Sequence, residues 1–131
     1  MQFDNQKPAR ILIVDDEPII ALSLEEMLVD AGFTIAAVVH KTDKALALIE
    51  SGACDAAIID ANLAGVSASP AASALATRGM PFIVLSGYSR EQLQGDFPGA
   101  HFMQKPCRPA QLIQAVREML LKCQDPVIDE A

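Results

Sequence analysis

Residues 10–18 read Arg10-Ile11-Leu12-Ile13-Val14-Asp15-Asp16-Glu17-Pro18: an apolar run breaks abruptly into three consecutive carboxylates and then a proline. A short, continuously apolar run is what a strand covered on both faces requires. Pro18 suits the first turn of a helix, where its missing N–H would have no intrahelical partner. Ile20, Leu24, Met27, Leu28 and Ala31 then recur at helical spacing as far as Gly32, a glycine stop. The junction is thus strand, acidic loop, helix.

The same alternation repeats along the chain. Further apolar runs fill 34–39, 56–59, 82–85 and 100–103. Between them, Thr42 or Asp43 is a candidate cap for a second helix with Leu46 and Ile49 on its buried side and Gly52 past its end. An Ala-rich helix is expected over 70–77, before Gly79, and a last one with Pro109 near its start and Leu112, Val116, Met119 and Leu120 as its stripe. Gly95, Pro98 and Gly99 leave room for only a short or irregular fourth helix within 89–99. Strands alternating with helices imply parallel strands joined by crossovers. The fold class is α/β, a doubly wound five-stranded parallel sheet in the flavodoxin-like order 2-1-3-4-5.

With 131 residues the chain suits one domain, divided here into an N-terminal extension (1–9), the domain (10–123) and a flexible C-terminal tail (124–131). Seventeen Asp and Glu against ten Lys and Arg give a charge of −7, which opposes non-specific nucleic-acid binding. No apolar run approaches the roughly 18 residues of a membrane span, and the polar N-terminus lacks a signal-peptide core. Cys54, Cys107 and Cys123 are odd in number, widely spread and without ligand spacing, which fits a reducing cytoplasm and thiols packed as small apolar groups. His40 and His101 lack partners at metal-ligand spacing and read as surface or core residues.

In such a sheet, ligands bind beyond the carboxyl ends of the strands, where the strand order reverses. The first strand runs into Asp15-Asp16-Glu17, the third into Asp60-Ala61-Asn62, the fourth into Ser86-Gly87-Tyr88 and the fifth into Gln104-Lys105-Pro106. The order 2-1-3-4-5 makes the first and third strands neighbours, so Asp15, Asp16 and Asp60 converge while Ser86 and Lys105 approach from the other side. Crowded carboxylates repel unless a cation is present, and a hard divalent ion such as Mg²⁺ accepts one or two of them with waters and a substrate oxygen. Lys105 adds positive charge, and together these groups suit a phosphoryl group. Asp60 could then be a nucleophile and Ser86 a hydrogen-bond donor to a phosphoryl oxygen. Taken singly, each motif has an ordinary reading: the acidic run as a helix N-terminus, Asp60 as a turn residue, Ser86-Gly87 as a strand exit and Lys105-Pro106 as a solvated turn.

Jointly, in this order and at successive strand ends, Asp15-Asp16, Asp60, Ser86 and Lys105-Pro106 resemble the CheY-like receiver domain of two-component response regulators. The resemblance covers residues 10–123. It implies that Asp60 is the phosphoacceptor, that Asp16 binds Mg²⁺ directly, that Asp15 helps through water and that the Asn62 backbone carbonyl is a further ligand. By the same resemblance Ser86 occupies the Thr/Ser switch position, Lys105 the family's lysine, Pro106 the position of a frequent cis-proline, and Phe102 that of the switch aromatic. Residues 81–88, Pro81-Phe82-Ile83-Val84-Leu85-Ser86-Gly87-Tyr88, look like a segment of some stand-alone receivers of alphaproteobacteria. Ala64 stands where a proline often follows the Asp-x-x-Leu run; with the short fourth helix, this departure bears on the surface that usually carries output.

The resemblance implies a cytoplasmic single-domain response regulator, monomer or weak dimer. It would take a phosphoryl group from a histidine kinase or a histidine phosphotransfer protein. It would signal through a downstream protein or a phosphorelay, as a phosphoacceptor rather than a conventional turnover enzyme, with self-dephosphorylation left open. The alternatives are a phosphorylation-independent interaction module and a Mg²⁺-dependent aspartyl-phosphate phosphohydrolase. The second would want an Asp-x-Asp run and a cap domain. A flavodoxin would want a Ser/Thr-rich phosphate loop where Asp15-Asp16-Glu17 stands.

Overall fold

All the main apolar runs lie side by side in one parallel sheet, and their near-continuous hydrophobicity has a direct cause: both faces are covered. The computed structural model describes residues 9–60, 62–63, 66–67, 69–86, 101–104 and 108–124. In chain order the elements are β1 (Arg10–Val14), α1 (Pro18–Asp30), β2 (Thr34–Val39), α2 (Thr42–Ser51), β3 (Ala56–Asp60), β4 (Asn62–Leu63), β5 (Val66–Ser67), α3 (Ser69–Thr77), β6 (Phe82–Ser86), β7 (His101–Gln104) and α4 (Pro109–Gln124). The large sheet has the order β2-β1-β3-β6-β7, every neighbouring pair parallel. The expected short helix within 89–99 lies outside the described residues.

Successive residues of a strand point to opposite faces. Leu12, Val14, Ala57, Ile59, Phe82 and Val84 therefore bury one face against Ala45 and Ile49 of α2 and Ala71, Ala72 and Leu75 of α3. Ile11, Ile13, Ala56, Ile58, Ile83 and Leu85 bury the other against Ala21, Leu24 and Leu28 of α1 and Leu112, Val116 and Met119 of α4. Cys54 packs into the first of these layers; burial, with the charge of Asp55 second, pushes its thiol up and keeps it protonated.

Three helices end alike. Phe33 donates its N–H to the Leu28 carbonyl, Ala53 to Leu48 and Met80 to Leu75, with a glycine of positive φ just before each donor (Gly32, Gly52, Gly79). This is the Schellman pattern, in which a left-handed residue turns the chain and a C3 carbonyl accepts the returning N–H. Each leucine–glycine spacing of four thus marks a helix stop, with Leu28 and Leu75 fully buried and Leu48 partly so.

Several details differ from the sequence expectation. The second helix is capped at neither Thr42 nor Asp43: Lys41 is its N-cap, in extended conformation, and no side-chain cap bond forms because Thr42 is already the first helical residue. Ala45, not Leu46, shares the buried side with Ile49. On α1 the buried stripe is Ala21–Leu24–Leu28, which turns Ile20 partly to solvent. The final helix extends to Gln124, one residue into the expected tail. The antiparallel pair β4–β5 was not expected, since two-residue strands carry no periodicity to read.

Candidate functional site

The site is built first at the β1–α1 junction. Pro18 disfavours helical conformation in its predecessor, and Glu17 accordingly is extended (φ −99°, ψ 109°). Glu17 ends the turn by accepting the Ala21 N–H at 2.9 Å, while its own N–H donates to Asp15 Oδ1 at 2.9 Å. The latter is an Asx turn, a side chain bonding to the backbone two residues on. No acidic residue lies in the first turn of α1. Glu17 is the N-cap and Asp15 and Asp16 precede it, so the acidic run does lie at the N-terminus of α1, where carboxylates complement the helix dipole, and that ordinary reading holds alongside the convergence of the aspartates.

Asp15 is 1% exposed. Its N–H donates to the Val39 carbonyl at 3.1 Å, and its own carbonyl lies 2.8 Å from Nδ1 of His40, both partners at the end of β2. Asp60 is the last residue of β3, 8% exposed, and enters the site because β3 pairs directly with β1. Asp15, Asp16 and Asp60 each offer a carboxylate oxygen, and these three atoms lie within 4.8 Å of one another. Asp15 and Asp60 are buried and Asp16 half-buried.

Ser86, 3% exposed, ends the neighbouring strand β6, one residue past the Asp60–Leu85 pairing. Phe102 pairs with Val84 in the β6–β7 register, and Asn62 begins β4 two residues beyond Asp60. The side chains of both residues, together with Lys105, Pro106 and Tyr88, lie outside what the structure describes. The structure thus gathers the three aspartates and sets Ser86 on the adjacent strand end. His40, which the sequence reads as a surface or core residue, is exposed, and its place beside Asp15 follows from an irregularity in the β1–β2 pairing that no residue pattern announces.

Three carboxylates this close repel strongly in a partly desolvated setting. The donor set is oxygen only, with no thiol or imidazole among the clustered ligand atoms, and it fits a hard divalent cation such as Mg²⁺. A doubly wound sheet with buried carboxylates beyond the ends of β1 and β3, at the point where strand order reverses, is the arrangement of a two-component signalling domain. The family model "Response regulator receiver domain" matches residues 11–117, and the chain belongs to that family.

Among curated proteins, the transcriptional regulatory protein PdtaR of Mycobacterium tuberculosis is 30% identical over 117 residues, which are 86% of this chain and 57% of that protein. The chain therefore spans little more than half the length of that relative. The solution structure of SdrG from Sphingomonas melonis Fr1 is 38% identical, with a TM-score of 0.73 over 86% of this chain and 97% of that one. The crystal structure of a response regulator receiver protein from Sinorhizobium medicae WSM419 is 30% identical, with a TM-score of 0.80 over 89% of this chain and 98% of that one. Domains of this family are signalling phosphoacceptors and are generally not conventional enzymes. Among the described residues, no helix is long and apolar enough to cross a membrane.

Proposed function

We propose that Asp60 accepts a phosphoryl group from a phosphohistidine of a histidine kinase or a histidine phosphotransfer protein, in a Mg²⁺-dependent reaction in the cytoplasm. The observation that carries this reading is the buried carboxylate of Asp60 at the end of β3, with ligand oxygens of Asp15 and Asp16 within 4.8 Å of its own. Asp16, Asp60 and the Asn62 backbone carbonyl would hold the ion, with Asp15 acting through water. A bound Mg²⁺ supplies charge neutralisation and a template for the phosphoryl oxygens. An Asp60 oxygen attacks phosphorus as the P–N bond of the phosphohistidine breaks, and the bonding pair leaves with the imidazole. Ser86 donates to a phosphoryl oxygen, and Lys105 balances the added negative charge. Phosphorylation then draws Ser86 toward the new acceptor and lets Phe102 follow, biasing the surface around β6 and β7. Output passes to a partner protein or along a phosphorelay.

The test needs no partner. Intact mass is measured for the wild type and for Asp60→Asn after incubation with phosphoramidate, with Mg²⁺ and with chelator. One phosphoryl adduct, present only with wild-type protein and Mg²⁺, is expected. An adduct on Asp60→Asn at the wild-type rate would sink the assignment. Absence of both adduct and Mg²⁺ binding would favour a phosphorylation-independent interaction module.

A further inference from the structure

We propose that His40 is a positioning residue for the acidic centre, holding the Asp15–Asp16 peptide in the orientation the proposed Mg²⁺ site requires. This rests on the function proposed above and adds a residue to it. Two independent features of the fold converge on His40. The first is a register shift in the β1–β2 pairing: Arg10 faces Thr34 and Ile11 faces Ile35, but Leu12 faces Ala37 and Val14 faces Val39. Without that extra residue, Asp15 would lie beside Val39; with it, the continuing register sets His40 beside Asp15. Bulges on edge strands are known to re-aim side chains next to functional sites in this way.

The second is the contact itself, with His40 Nδ1 2.8 Å from the Asp15 carbonyl oxygen. A carbonyl only accepts, so Nδ1 must carry the proton. That oxygen belongs to the planar peptide linking Asp15 to Asp16, and fixing it fixes the plane from which Asp16 departs. The preceding peptide is held from the same strand, through the Asp15 N–H and the Val39 carbonyl at 3.1 Å. The end of β2 thus clamps both peptide planes flanking Asp15, and His40 supplies the clamp nearer to Asp16. Partners that orient metal-binding groups in this way tune affinity without touching the ion.

The test titrates wild type, His40→Ala, His40→Asn and His40→Gln with Mg²⁺ by calorimetry, and follows thermal unfolding of each. An Asn amide nitrogen stands where Nδ1 stands, and a Gln amide where Nε2 does. Loss of one hydrogen bond predicts Mg²⁺ binding weakened about fivefold in His40→Ala. Recovery is expected in His40→Asn and not in His40→Gln, which a general loss of packing would not produce. Should His40→Ala fail to fold, the Asn and Gln variants carry the comparison. In the wild type, the neutral ring is expected to show Nδ1 protonated in its ¹⁵N spectrum. Wild-type protein that does not bind Mg²⁺ would overturn the proposed function and this role together. Wild-type binding with no difference among the variants, equal rescue by Gln, or an Nε2-protonated ring would overturn the positioning role alone.

Discussion

Arg10 and Asp55 hold the end of the sheet opposite the acidic centre. The guanidinium meets both carboxylate oxygens at 3.1 Å and the Gly52 carbonyl at 3.0 Å, and two further bonds join the residues: the Arg10 backbone N–H donates to the side-chain Oδ2 of Asp55 and the Asp55 N–H to the Arg10 carbonyl, each at 2.8 Å. The hydrogen bond from Arg10 holds the Asp55 carboxyl below the usual carboxylate range. A carboxyl depressed in the folded state contributes stability that is fully present above its unfolded pKa of about 4 and is lost as pH falls through the lower folded value. Wild type is therefore expected to unfold at a higher temperature than Asp55→Asn at pH 7, with the gap closing below roughly pH 4. Both residues are nearly half exposed, so the effect is small and weakens with salt. A gap that widened on acidification would contradict it. This pair was not legible in the sequence, since nothing in either residue's neighbourhood says that positions 45 apart will meet. Asp15, Asp16 and Asp60 were legible because each leaves an apolar run at the point where a strand must end. His40 was not, because its place depends on the extra residue in β2.

The helices show how far periodicity reaches and where it stops. Leu22 and Leu28 lie on the same helix, α1, yet Leu28 is fully buried and Leu22 is 53% exposed. Leu28→Ala removes a packed side chain from the layer formed with Ile13, Ile58 and Val116 and is expected to cost about 2–5 kcal/mol. Leu22→Ala is expected to stay within about 0.5 kcal/mol. Chemical denaturation of the two variants checks the contrast, and similar losses would mean that α1 is not seated on the sheet as described. Apolar spacing identified α1 and its glycine stop but chose Ile20 for the inner stripe where Ala21 stands. A helix rotated by one residue offers a similar apolar count in so hydrophobic a segment, and only packing against the sheet decides. Caps were less legible still, since Thr42 has the chemistry of a cap while the chain enters the helix one residue earlier.

At the scale of the whole molecule, the strand order converts separate strand ends into one site. The order was legible because alternating strands and helices leave few ways to wind a parallel sheet, and the acidic strand ends then fall where the order reverses. The cost of this arrangement is carboxylate repulsion: two unit charges 4–5 Å apart oppose each other by roughly 1–4 kcal/mol at effective dielectric constants between water and a protein surface. Asp60→Asn removes one of the three charges, so without divalent ions the variant is expected to be more stable than wild type, by about 1 kcal/mol. Under the proposed function, Mg²⁺ reverses the ranking. A ligand that binds only the folded state stabilises by about 1.4 kcal/mol at ten times its dissociation constant, and the variant, having lost one oxygen donor, gains less. Thermal unfolding of both proteins across a Mg²⁺ series, at constant ionic strength to remove general screening, reads the two effects together. Curves that cross as Mg²⁺ rises would establish that the same carboxylates destabilise the free fold and bind the ion. Parallel curves would mean that the aspartates converge without forming a cation site, and the phosphoryl chemistry assigned to Asp60 would lose its electrostatic basis.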